Sequence, residues 1–320
     1  KDQNYTMLKD LFYNGYSVIV TESEESTLET DLNGDGKIRW HTFPVDTVDN
    51  VDYVNIKAII DTFDNRGVID RTRLFSIGMS AGGGYSAAFS VAFSSIASIT
   101  YCASGQAAVI EGTNSPILFC MMPYDDVIGE DGNADAVTNY NTLIDREICT
   151  GYFMNYAFPV YPEYFMRVGL SQSESETVFN ELNLNGFLNS SNFLTGTAID
   201  IQSHIQSNPQ LWNGFNALTG LQKAAVANLV GVAYGSHNFY SNHNKRTIDF
   251  FDNLCDTPVL IQNNNSEQSF VEIYPNPVKD EIYISTYAKD YEIQILDING
   301  KVYYTNSNSK KINVSQLSSG

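Results

Sequence analysis

Basic residues are scarce in this chain. Eighteen Lys and Arg stand against 37 Asp and Glu, a net charge of −19 over 320 residues. Such a balance repels phosphate backbones and anionic lipid surfaces, which excludes nucleic acid as a partner. Long hydrophobic runs are missing too: none approaches the roughly 18 apolar residues that cross a bilayer. Cysteine is reduced to Cys102, Cys120, Cys149 and Cys255, with no C-x-x-C spacing, so a zinc or redox motif is not expected. Cys102 and Cys120 end apolar runs and read as buried thiols. Cys149 and Cys255 lie in expected loops and are the pair to test first as a disulfide. What the chain has in quantity is Tyr, 20 residues, among many Asn, Ser and Thr, a composition met in exported proteins. It opens at Lys1 without a Met and closes on Ser318-Ser319-Gly320, so it is expected to be a piece of a longer precursor.

The chain is organised around Leu74-Phe75-Ser76-Ile77-Gly78-Met79-Ser80-Ala81-Gly82-Gly83. An apolar strand-type run enters a G-x-S-x-G turn, and small residues follow as the start of a helix. Such a turn holds its serine at a strained backbone angle at a strand end, over the free amides of a helix N-terminus. Glycines two residues to either side are expected to permit the close approach. Ser80 is therefore a candidate nucleophile, with the Ala81 N–H as an oxyanion donor.

Apolar spacing at Tyr5, Leu8 and Phe12 predicts a helix over residues 3–13, and Tyr16–Val20 reads as a buried strand. A second helix is expected from about Asp49 to Phe63. Ile96–Tyr101 and Ile117–Met122 read as two further strands, so strand and helix alternate as in a parallel sheet with helices on its faces. From about 130 to 235 helices and polar loops are expected without clear strands, in the manner of a lid, before a last helix over Lys245–Leu254. Residues 262–268 are a polar linker. Beyond them apolar residues alternate with period two (Val271/Ile273, Ile282/Ile284, Ile293/Ile295, Val302/Tyr304, Ile312/Val314), and Asn299-Gly300 is a hairpin turn, which together predict a small antiparallel β-sandwich.

A serine nucleophile needs a base, and the base needs a carboxylate. Of the four histidines, His237 in the small-residue loop Gly235-Ser236-His237-Asn238 is the expected base. His243 is its rival, and His204 is expected on the surface. Asp125 or Asp126, at the end of the 117–122 strand, supplies the acid. The order Ser, Asp, His is that of the α/β-hydrolases.

Gly67–Gly83, Asp49-Asn50-Val51-Asp52-Tyr53-Val54, Asp125-Asp126-Val127-Ile128 and Gly235-Ser236-His237-Asn238-Phe239 together resemble the secreted esterases similar to polyhydroxybutyrate depolymerases and feruloyl or acetylxylan esterases. The resemblance covers about residues 1–128 and 230–254. It implies an α/β-hydrolase sheet with a helical lid insertion at about 130–230. It also implies a Ser80–His237–Asp125 triad working through an acyl-enzyme, a small-molecule or polymeric ester as substrate, and no required cofactor. It places Trp40 in a loop bordering the active site, and Trp40 and Met79 are taken as substrate-binding. It also places one strand and a second oxyanion donor upstream of Lys1, so a gap is expected between the 16–20 and 74–78 strands. A serine peptidase on the same fold and a silent glycan-binding surface protein are the rival readings.

Asp31, Asn33 and Asp35, followed by Gly36 and Ile38, have the spacing of an EF-hand-type loop, although position twelve is Thr42 and not Glu. A structural calcium is the corresponding expectation. Residues 270–320 resemble the type A C-terminal sorting domain of the type IX secretion system, through Tyr274-Pro275-Asn276-Pro277, Asp297–Val302 and Leu317–Gly320. Expected domains are thus 1–258 (catalytic), 259–269 (linker) and 270–320 (sorting). The resemblance implies export through the periplasm to the cell surface or beyond, with the secretion machinery as partner.

Overall fold

The computed structural model describes residues 2–254, 271–274, 280–286, 291–296 and 302–317. The chain divides into two units, Lys1–Ile261 and Gln262–Gly320. The expected linker, the Asn299-Gly300 turn and Cys255 lie outside the described residues.

The first unit runs α1 (Asp2–Tyr13), α2 (Glu24–Leu28), α3 (Val51–Asn65), β1 (Phe75–Met79), α4 (Ala81–Phe93), β2 (Ala97–Tyr101), α5 (Ala107–Gly112), β3 (Ile117–Met121), α6 (Gly129–Asp145) and β4 (Thr150–Met154). Then come α7 (Gln172–Leu184), α8 (Ala198–Ser207), α9 (Asn213–Ala217), α10 (Gly220–Tyr234) and α11 (Asn244–Asn253), with 3₁₀ turns at Tyr164–Val168 and Pro209–Leu211. The four strands form one parallel sheet in the order β1-β2-β3-β4. Every residue of β2 and β3 is buried, which requires cover on both faces; β3 is apolar throughout, while β2 also buries Ser98 and Thr100. The core joins Tyr53, Ile56 and Ile60 of α3, Tyr85 and Phe89 of α4, and Ile117 and Phe119 of β3.

Two expectations are corrected. Tyr16–Val20 is not a strand: it pairs with no described segment, and Ile19 and Val20 are 45% and 74% exposed. Apolar composition makes a strand only where a neighbour supplies a ladder. Tyr16 instead rests its ring on Phe75 and Phe251 and donates its hydroxyl to Asp252 at 2.5 Å. β1 is therefore an edge strand among the described residues, and all five of its residues are only half-buried. In α1 the buried face is Gln3, Met7 and Leu11, an i, i+4 row, while Tyr5 and Phe12 point outward. Finally, the stretch from 130 is not strandless: α6 and β4 extend the sheet, and the all-helical segment begins only after Met154.

The second unit is antiparallel throughout. β5 (Val271–Tyr274), β6 (Glu281–Thr286) and β9 (Lys311–Asn313) make a three-stranded sheet in the order β5-β6-β9, and β7 (Glu292–Leu296) pairs with β8 (Val302–Ser307). Ile284, Ile312 and Val314 are buried, with Ile293, Ile295 and Tyr304 packed against them. Among the described side chains the alternation thus brings Ile282, Ile284 and Ile312 of one sheet against Ile293, Ile295 and Tyr304 of the other, as two packed sheets require.

Candidate active site

The β1–α4 turn is as tight as its sequence implies. Ser80 has φ 56° and ψ −125°, a strained conformation for a residue with a Cβ. Its N–H donates to the Tyr101 carbonyl at 2.8 Å, pinning the turn to the end of β2, and its carbonyl accepts from Gly83 and Gly84. The glycines are not equivalent. A Cβ on Gly78 would stand 1.9 Å from the Gly82 carbonyl oxygen, and one on Gly83 would stand 2.8 Å from the Ala103 Cβ. One on Gly82 would meet only the Trp40 indole, at 3.5 Å, an ordinary contact. The expectation that both glycines flanking Ser80 are sterically required therefore holds for Gly78 and fails for Gly82; the second tight position is Gly83. Ala81 begins α4 at a point where helix amides have no intrahelical acceptor.

Asp125 lies in the turn from β3 to α6, and its side chain is fully buried. Its Oδ1 accepts the Val127 and Ile128 N–H groups at 3.0 Å each, and both carboxylate oxygens lie 2.8 Å from His237 Nδ1. Burial alone would push this carboxyl up. The hydrogen bonds from His237, Ile128 and Val127 outweigh it and hold the group below the usual carboxylate range. Asp126 is exposed.

His237 is carried by the loop after α10. That helix ends on Gly235 in the left-handed region (φ 85°), with its N–H donating to the Gly231 carbonyl, and the Gly235 carbonyl accepts from the Tyr124 N–H at 2.9 Å. The last bond ties the histidine loop directly to the acid turn. A Cβ on Gly231 would stand 2.1 Å from Asn238 Nδ2, so the Asn238 side chain lies against α10 in the space that a bare Gly231 leaves. His243, the rival base, is packed between Phe153 and Tyr240, and burial, then Arg246, drives its imidazole down to about 4. His204 is not a free surface group: its Nδ1 accepts the indole N–H of the buried Trp212 at 3.0 Å.

Ser80 thus stands at the end of β1 beside Tyr101, while Asp125 and His237 face each other past the end of β3. Cys102, which follows β2 with φ 50°, joins the Asp125–His237 pair. Its sulfur, an Asp125 carboxylate oxygen and a His237 ring nitrogen all lie within 4.8 Å of one another. The thiol donates to the Asn238 carbonyl at 3.4 Å. Burial and then the neighbouring Asp125 charge push it well above the usual thiol range, so it is protonated at neutral pH. Sequence reasoning missed this residue, treating it only as a buried thiol. The one signal was its place at the C-terminal end of a parallel strand, where open α/β sheets gather their ligand sites. No hydrogen bond from the Ser80 hydroxyl is found among the described residues. Bonds of this kind often tighten only when substrate is bound.

Trp40 both caps the core and faces the turn: its ring stacks on Tyr85 at 4.3 Å, Tyr85 stacks on Tyr53 at 4.6 Å, and its indole nitrogen lies by Gly82. The loop carrying it is held by buried polar groups. Asp52 accepts the Glu24 and His41 N–H groups, and Asn50 donates to the His41 and Pro44 carbonyls. Glu25, fully buried, accepts from the Leu32 and Arg39 amides and from the His41 ring. The Arg39 amide, then the Leu32 amide and His41, hold its carboxyl down at about 2 despite burial. Met79, half-buried, ends β1 opposite Tyr101. In the loop at 31–36, Asp31 accepts the Gly34 and Gly36 N–H groups at 2.7 Å each, Asn33 that of Asp35, and Asp35 that of Lys37. The other Asp35 oxygen takes the Arg39 guanidinium at 2.5 Å. Apart from these sites, the helical segment carries a partly open apolar pocket of about 390 Å³ lined by Leu182, Ile201, Trp212, Phe215, Val226 and Val230.

Cys149 is disulfide-bonded, and Cys102 and Cys120 are free and buried. No helix among the described residues is long and apolar enough to cross a membrane. Residues 272–320 match the family model of the secretion system C-terminal sorting domain. The protein is exported by type IX secretion, to the cell surface or the extracellular space. The sorting segment contains β5–β9, and the secretion machinery is its partner. No curated protein and no solved structure matches the chain.

Proposed function

We propose that the exported protein is a serine ester hydrolase with a Ser80–His237–Asp125 triad. The observation that carries this is the His237 Nδ1 bridging both oxygens of a buried Asp125, at the sheet end where Ser80 occupies its strained turn. In the proposed reaction Ser80 Oγ attacks the ester carbonyl while His237 Nε2 takes its proton. Asp125 holds the Nδ1–H and stabilises the imidazolium, and the Ala81 N–H receives the developing oxyanion. His237 then protonates the leaving alcohol, and water repeats the sequence on the acyl-enzyme. Trp40 and Met79, flanking the turn, are proposed to line the acyl or aryl part of a small or polymeric ester.

The test is a fluorophosphonate, whose phosphorus Ser80 Oγ attacks as fluoride leaves. The full chain should gain one adduct, on the peptide containing Ser80, and Ser80→Ala should gain none. Ester and peptide panels then separate esterase from peptidase. An unlabelled Ser80 in folded protein would return the chain to a silent glycan-binding role.

Calcium is proposed only as a structural ion of the 31–36 loop, held by Asp31, Asn33 and Asp35, with Asp35 shared with Arg39. At calcium 100-fold over its Kd the stabilisation is about 2.7 kcal/mol, or roughly 5–10 °C in Tm for a unit of this size. Chelation should therefore lower the melting temperature by that amount, and Asp35→Ala should remove the difference. An unchanged Tm makes the loop an ordinary acidic turn.

A further inference from the structure

Cys102 has no part in the proposed ester chemistry although it touches the acid–base pair. It is free, fully buried, and faces both Asp125 and His237. A thiol, a carboxylate and an imidazole are the three ligand types that bind zinc-like cations, and each offers one atom within 4.8 Å of the other two. Ligands around a tetrahedral zinc stand about 3.5 Å apart, so closure on an ion requires side-chain shifts of only about 1 Å. Charge points the same way. A Cys102 thiolate and the Asp125 carboxylate together carry two negative charges, and a divalent cation neutralises both. Three protein ligands leave a fourth position for water, and of the three only His237 reaches the surface, with 13% of its side chain exposed.

We infer that Cys102, Asp125 and His237 form a binding site for a thiophilic divalent cation of the Zn²⁺ class. Binding releases the Cys102 proton, forms the sulfur–metal bond, and takes up the His237 lone pair and the Asp125 oxygen. The cation site stands on its own geometry. Its consequence for turnover rests on the triad reading: an imidazole bound to metal cannot accept the serine proton, so the ion switches the hydrolase off. Calcium and magnesium, which take oxygen ligands, do not compete for a thiolate site.

Cobalt(II) is the probe, because a cysteine thiolate bound to it gives a near-ultraviolet charge-transfer band that oxygen and nitrogen ligands lack. Titrated into the full chain, Co²⁺ should produce this band, and an equivalent of Zn²⁺ should erase it. Since each ion displaces one thiol proton, apparent affinity should rise about tenfold per pH unit while Cys102 remains protonated. Cys102→Ser, nearly isosteric, and Cys102→Ala should each abolish the band. His237→Ala should weaken Zn²⁺ binding by more than about 100-fold, the upper range for loss of a mere outer-sphere partner. Ser80→Ala should keep the band. Absence of the band in the folded wild-type chain overturns the site, and so does its survival in Cys102→Ser, which would assign it to Cys120. Zn²⁺ should slow ester turnover by the wild type and leave whatever rate Cys102→Ser retains unslowed. A band without any ester turnover refutes the hydrolase reading and leaves the site; turnover without a band does the reverse.

Discussion

Replacing Ser80 or His237 by Ala is expected to lower ester turnover by roughly 10⁴–10⁶-fold, because nucleophile and base act as one unit and little remains when either is lost. Asp125→Asn is expected to cost about 10⁴-fold: the amide keeps the shape of the site but no longer favours the tautomer in which Nδ1 carries the proton. Asp126→Asn, at an exposed position one residue on, should leave the rate within about threefold. Steady-state kcat values for the four variants, each checked for native circular dichroism, decide the matter. Equal and small losses at Asp125 and Asp126 would place the acid elsewhere, and a His237→Ala variant with the wild-type rate would remove the triad.

Gly78→Ala is expected to be the most damaging single change to stability. Its new methyl would stand 1.9 Å from the Gly82 oxygen and 2.9 Å from the Gly83 nitrogen, and both are backbone atoms that cannot swing aside. Relief requires β1 and α4 to separate, which opens the core beneath Tyr85 and Phe89. The expected loss exceeds about 4 kcal/mol, a range reached by few substitutions, and Tm should fall by more than about 10 °C, or the chain should fail to fold. Gly82→Ala provides the contrast: it touches only Trp40, and its stability should remain within about 1 kcal/mol of wild type. Thermal melts of the two variants side by side test the assignment of the close approach. A Gly78→Ala protein melting at the wild-type temperature would mean that the turn is looser than described.

Some of the fold was legible and some was not, for identifiable reasons. β3 could be read from composition because a strand buried on two faces favours an apolar run, and β2 from its β-branched and aromatic residues, although it buries Ser98 and Thr100. The same criterion failed at Tyr16–Val20, where apolar residues have no strand beside them to pair with. It failed in the opposite sense at Thr150–Met154, where a Gly and a Tyr obscure a strand that sits at the far edge of the sheet and needs less apolar surface.

Local chemistry is what the sequence by itself determined. The turn that strains Ser80, the alternation of the sandwich strands, and the sorting segment at 272–320 all depend on spacing within a short stretch, and spacing survives without coordinates. Only the tertiary structure decided which groups meet. Asp125 and Asp126 are adjacent and chemically identical, and the residues alone left both open until the family resemblance pointed to Asp125; the structure buries Asp125 against His237, 112 positions away, and leaves Asp126 exposed. His237 and His243 lie six residues apart, yet one meets that carboxylate and the other is sealed against Phe153. Cys102 joined the site because β2 ends between β1 and β3, bringing its sulfur to a pair of residues far away in the chain. Contacts of this range are set by the packing of whole elements; the Asp125–His237 pair was reached beforehand only through the family resemblance, and the approach of Cys102 was not reached at all.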